Sequence, residues 1–91
     1  MATVNLSWTA PSSTNDVDNI EVYRFENQQS ADTAAITTLI GSATAIETLA
    51  KTATSTSDSS APVGALTYAV VSKNSAGFKL EDTGHADVTT T

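Results

Sequence analysis

The stretch from Leu66 to Gly77, Leu-Thr-Tyr-Ala-Val-Val-Ser-Lys-Asn-Ser-Ala-Gly, restricts the fold of this chain more than any other. Tyr68, Val70 and Ser72 alternate with Ala69, Val71 and Lys73, and a period of two in β-branched and aromatic residues predicts a strand. Val71 makes the second face partly apolar as well, as expected of a strand in the middle of a sheet. Asn74-Ser75-Ala76-Gly77 follows, and Asn and Gly tolerate positive φ, so a turn is expected there. Phe78 and Leu80 resume the alternation, which makes the unit a hairpin. Beyond it, Asp82-Thr83-Gly84 reads as a second turn and 86–91 as a final strand.

The same alternation appears near the start. Val4, Leu6 and Trp8 interleave with Asn5, Ser7 and Thr9, giving one apolar and one polar face. Pro11 lacks the N–H that a ladder needs and ends the strand. A polar loop, 12–19, leads to Ile20 and Val22, the next inward row, with Tyr23 and Phe25 on the opposite face. Residues 27–32 are polar again. In 33–61 the pattern weakens: Ile36, Leu39, Ile40, Ala43, Ile46, Leu49 and Ala50 fall at helical spacing, but frequent Thr and the interrupting Gly41 lower helix propensity. Strands are the preferred reading of this region.

Three of these segments carry a resemblance. Tyr68-x-Val70-x-Ser72-x-Asn74-Ser75-Ala76-Gly77 resembles strand F and the F–G turn of a fibronectin type III domain, with Ser72 where that family usually has Ala. Val4-Asn5-Leu6-Ser7-Trp8-Thr9-Ala10-Pro11 resembles its strand B, with the core Trp and the terminating Pro. Ile20-Glu21-Val22-Tyr23-Arg24 resembles strand C. The three matches come in family order and spacing and span most of the chain. The resemblance implies an all-β fold: an antiparallel immunoglobulin-like sandwich of six to seven strands, occupying residues 1–91 as a single domain. Trp8, Ile20, Val22, Leu66, Tyr68 and Val70 form its expected core, and Trp8→Ala is expected to cost about 3–5 kcal/mol. The family pattern also makes 38–41 a C′-type strand, with a loop or one helical turn near 45–51 and strand E near 52–57. Leu66 and Tyr68, preceded by Pro62-Val63-Gly64, resemble a tyrosine corner, in which the Tyr hydroxyl bonds to backbone a few residues upstream.

The family's strand A has no room here. Trp8 lies seven residues from the start, and Met1 to Thr3 cannot supply a strand and its turn. The strand holding Val4, Asn5, Leu6, Ser7 and Trp8 is therefore expected at a sheet edge. Residues 2–9 contain neither Lys nor Pro, the usual means of blunting an edge. This edge is the expected partner-binding site, covered by a neighbouring subunit through β-augmentation or by the chain's own Thr-rich C-terminal end.

Composition limits the function. Area scaling for 9.4 kDa buries about 63% of the chain's surface, enough for one modest core without a deep cleft. The chain has no Cys, so neither a disulfide nor a thiolate metal site supports it. Its net charge is −6, and its four basic residues, Arg24, Lys51, Lys73 and Lys79, are scattered. Nucleic acid and anionic membranes are therefore disfavoured as partners. No apolar run approaches the roughly 18 residues of a membrane span, and no signal peptide opens the chain.

Candidate chemistry is sparse. Asp16 and Asp18 share a loop and are weak metal candidates, because a Ca²⁺ loop needs six or more oxygens and a Gly at its bend. Asp32, Asp58, Glu81, Asp82 and Asp87 read as surface charge. His85 is the single histidine; without a Gly-x-Ser-x-Gly elbow or a Gly-rich oxyanion loop it reads as an exposed residue before the last strand. No carboxylate pair is marked for glycoside hydrolysis and no phosphate-binding loop is present. Asn5-Leu6-Ser7 is formally a glycosylation sequon, but it lies inside a strand. Trp8, Tyr23 and Tyr68 would make a sugar platform only if they shared a surface, and Trp8 shares its face with Val4 and Leu6. No cofactor and no catalytic residue is expected.

The expectation is a non-catalytic structural module bound to a protein scaffold or to neighbouring subunits in an oligomeric assembly. A short, acidic, Ser/Thr/Ala-rich sandwich without an export signal fits a virion component made in a host cytoplasm, such as a bacteriophage capsid decoration or tail accessory protein. The alternative is an adhesive or sugar-binding module of a bacterial surface protein or secreted glycosidase. Fold alone does not decide between them.

Overall fold

Among the described residues, alternating sequence becomes six strands, β1 (Ala2–Ser7), β2 (Asn19–Glu26), β3 (Glu47–Ala50), β4 (Ser55–Ala61), β5 (Gly64–Asn74) and β6 (Gly77–Thr90), with one helix, α1 (Thr33–Ile40), between β2 and β3. The structure, a computed structural model, describes residues 2–9, 17–27, 29 and 32–91. Two sheets result, β1-β4 and β3-β2-β5-β6, and every pairing is antiparallel. The chain is thus mostly β and compatible with an all-β sandwich.

β5 lies inside the four-stranded sheet and buries both faces, which is why its sequence is apolar at both phases. On one face Leu66 and Tyr68 pack with Val4 and Ala61 of the two-stranded sheet, flanked by Ala2, Leu6 and Val88. On the other, Ala69 and Val71 pack with Tyr23, Ile36 and Ile40, flanked by Phe25, Leu39, Ala45 and Phe78. Tyr23 stacks on Phe25 at 6.1 Å and meets the edge of Phe78 at 6.3 Å. The four-stranded sheet therefore carries a sheet on one side and a helix on the other.

The helix corrects the strand reading of this region. Asp32 caps it, its side chain accepting the Ala35 N–H at 2.8 Å. Ile36 and Ile40, one turn apart, are 0% and 1% exposed. Burial of that face over the sheet outweighs the modest propensity of Thr. The threonines also adapt locally: the Thr37 and Thr38 hydroxyls both donate to the Ala34 carbonyl, at 2.9 and 3.0 Å. Residues 38–41, expected as a C′-type strand, are instead the last turn of α1 and its cap. The position beside β2 belongs to β3, formed where a loop was expected. The next strand runs over Ser55–Ala61 rather than 52–57.

The hairpin turn works in a different way from that anticipated for Asn74. Gly77 takes the positive φ, +128°, while Asn74 contributes its side chain, whose Oδ1 accepts the Ala76 N–H at 2.9 Å. The second turn, at 82–84, is absent, because β6 is continuous there. Register passes from Ser72↔Lys79 to Val70↔Gly84, so Val71 alone faces residues 80–83 across a wide bulge.

Among the expected core residues, Ile20, Val22, Leu66 and Tyr68 are buried, whereas Trp8 and Val70 are half-buried. The Trp8 indole N–H donates to the Ala53 carbonyl at 2.9 Å, pinning the end of β1 to the turn before β4. With part of the ring in water, Trp8→Ala is expected to cost about 3 kcal/mol, the low end for such a truncation. Urea unfolding checks this, and a loss below about 1 kcal/mol would make the ring peripheral to the fold.

Candidate functional site

β1 has one neighbour in its sheet, β4. The Trp8 N–H donates to the Thr54 carbonyl at 2.9 Å, and the register runs Ser7↔Ser55, Leu6↔Thr56, Asn5↔Ser57, Val4↔Asp58. In an antiparallel pair, residues facing the partner alternate with residues facing away. Val4, Leu6 and Trp8 therefore turn their backbone toward β4, while Asn5 and Ser7 turn N–H and C=O outward. The side chains of Asn5, Ser7, Ser55 and Ser57 are exposed on the sheet's outer face, where the Ser57 hydroxyl donates to Asn5 Oδ1 at 2.7 Å. A shallow groove follows Asn5, Leu6, Ser7, Ser55, Thr56 and Ser57. The opposite face of β1 carries buried Val4 and half-buried Leu6.

The chain's own C-terminal end does not cover this edge. β6 pairs with β5 through Gly64↔Thr90. The Thr90 hydroxyl clamps that end, accepting the Gly64 N–H at 3.0 Å and donating to the Pro62 carbonyl at 2.5 Å.

A second constellation escaped the sequence reading. Asp58, read as surface charge, is 9% exposed. Its Oδ2 accepts the Tyr68 hydroxyl and Arg24 Nη1, each at 2.6 Å, and its Oδ1 accepts the Ser60 N–H at 3.0 Å. The expected tyrosine-corner bond to upstream backbone is thus replaced by a bond to a carboxylate upstream. Burial pushes Asp58 up, but the hydrogen bonds from Tyr68, Arg24 and Ser60 and the Arg24 charge outweigh it and hold the carboxyl below its usual range. Burial and the Asp58 contact push Tyr68 up to about 12. The Asp58 hydrogen bond raises Arg24 against the effect of burial. One signal could have exposed the cluster: Arg24 shares the phase of Ile20 and Val22, and a cation on an inward row requires a buried anion.

The remaining candidates are dispersed. Asp16 lies outside the described residues. Asp18 is exposed and its N–H donates to the Lys73 carbonyl at 2.9 Å. Among the described residues, no group of three or more His, Cys, Asp and Glu converges as metal ligands would. His85 is exposed within β6, opposite Ala69, rather than before the strand. Tyr23 and Tyr68 belong to the cores on opposite faces of the sheet, so with Trp8 they form no common platform. No helix among the described residues is long and apolar enough to cross a membrane. Comparison with protein-family models, curated proteins and solved structures finds no match to this chain.

Proposed function

We propose that the protein is a non-catalytic structural module with a fibronectin type III-like sandwich, joined to a protein assembly by β-augmentation along β1. The carrying observation is the row of Asn5 and Ser7 backbone groups, which no strand among the described residues pairs. The strand order supports the sandwich reading: β1-β4 matches a B–E pair and β3-β2-β5-β6 matches C′–C–F–G. The family has no helix where α1 lies, and this chain's helix fills the outer face of the larger sheet. The acidic, Ser/Thr/Ala-rich composition supports a virion as the setting.

A hydrolase panel and a glycan array test the function class. No turnover and no glycan selectivity are expected; turnover lost in His85→Ala, or selective glycan binding, would overturn the reading. The encoding locus tests the setting: capsid and tail genes are expected alongside, and a reading frame continuing into a surface protein or glycosidase would exclude the virion.

A further inference from the structure

We propose that the β1 edge pairs with β1 of a second copy of this chain, antiparallel about a two-fold axis through Leu6. The inference rests on the interaction-module reading and names the partner of that site. Among the described residues, four strands border a sheet, β1, β4, β3 and β6. β3 carries Glu47 and β6 carries Asp87 among several charges, while β4 is interrupted by a bulge at Ser59 and Ser60 opposite Thr3. β1, Ala-Thr-Val-Asn-Leu-Ser, has no ionisable side chain. Two copies of a chain with net charge −6 repel each other, and contact is least opposed where neither strand bears a charge.

The pattern of β1 is also self-complementary. An axis through Leu6 places Asn5 opposite Ser7 of the second copy, and these are the two residues whose N–H and C=O point outward. They would exchange backbone hydrogen bonds on both sides of the axis. Leu6 would face its own copy as a non-hydrogen-bonded pair, with Cα atoms about 4.5 Å apart and side chains closest. Val4 would face Trp8, so the inner row stays apolar and the outer row polar across the joint. Leu6 and Trp8, each half-buried, would gain cover. An axis through Asn5 would instead require Thr3 to pair regularly, and Thr3 sits where register shifts between Ala2 and Val4.

A joint of one short strand per copy is smaller than a standard interface of roughly 1,600 Å², so association is expected at high micromolar concentration rather than nanomolar. Sedimentation equilibrium of the 91-residue chain should show the mass doubling in that range. Asn5→Pro and Ser7→Pro remove outward N–H groups and should weaken dimerisation at least tenfold. Thr48→Lys, at an exposed position on the β3 edge of the other sheet, should leave it within about twofold. Because a proline variant can fail to fold, the double variant Asn5→Lys/Ser7→Lys provides a second route: its side chains are exposed, and it should remain folded and monomeric. The chain has no Cys, so oxidation of Leu6→Cys should give a disulfide dimer and Asn5→Cys should not. A monomer at millimolar concentration, dimerisation unchanged in the edge variants, or cross-linking through Asn5→Cys alone would overturn the proposal. The activity and glycan screens are independent of all three, so the two readings fail separately.

Discussion

Asp58→Ala is expected to destabilise the protein by about 3 kcal/mol, because it removes the acceptor shared by the Tyr68 hydroxyl, the Arg24 guanidinium and the Ser60 N–H in the space between the sheets. Removing one partner of a buried ion pair typically costs about 3–5 kcal/mol. The low end applies because the Arg24 side chain is 24% exposed and can recover some hydration, whereas that of Asp58 is 8% exposed. The Tyr68 hydroxyl, on a residue 2% exposed, cannot do the same. Asp58→Asn keeps a carbonyl oxygen for Tyr68 but loses the charge that holds Arg24, and about half the cost is expected. Tyr68→Phe removes one donor and leaves Arg24 paired, so about 1 kcal/mol is expected. Urea unfolding of the three variants should preserve that order. A cost below about 1 kcal/mol for Asp58→Ala would mean that the cluster merely decorates the two sheets.

The same contacts set the pH dependence. Asp58 has a lowered folded-state pKa. Its contribution is therefore present above the unfolded carboxyl value of about 3.9 and is lost as pH falls through the lower folded value. Tyr68 has a raised one, about 12, so its contribution is complete below about 10 and disappears as pH rises from there through about 12. In Asp58→Ala the acid-side loss should vanish. The alkaline loss should shrink without disappearing, because burial, the larger cause of the Tyr68 shift, remains.

What could be read from the residues divides according to period. β1, β2 and β5 were legible because one side of each strand faces a core and alternation records it: Val4 and Leu6, Ile20 and Val22, Leu66 and Tyr68. Their order in the sheets was not legible, since alternation does not state which strand lies beside which. β4 was blurred because its inward row is polar: Thr56 hydrogen-bonds Glu47 of β3, and Asp58 binds Arg24 and Tyr68. A row satisfied by polar partners leaves no hydrophobic trace. The β1 edge was legible as a stretch without Lys or Pro. Which N–H groups point outward was not, because that depends on hydrogen-bond phase, set here by the bond from Trp8 to Thr54. The bulge opposite Val71 was mistaken for a turn because Asp and Gly suit both.

The helix failed to stand out for a reason that also supplies its test. Positions 36 and 40 share a face in a helix and also in a strand, since a spacing of four satisfies both periods. Ile36→Ala is expected to cost about 3–4 kcal/mol, since a fully buried side chain is removed from between helix and sheet. An eight-residue helix is too short to persist without that contact, so amide protection at Ala69 and Val71 beneath it should fall as well. Position 38 separates the alternatives. In a strand Thr38 would point inward with Ile36 and Ile40; in α1 it is exposed. Thr38→Lys is therefore expected to stay within about 0.5 kcal/mol of the parent. If a lysine there proved as damaging as Ile36→Ala, the segment would be a strand and the second core would lose its cover.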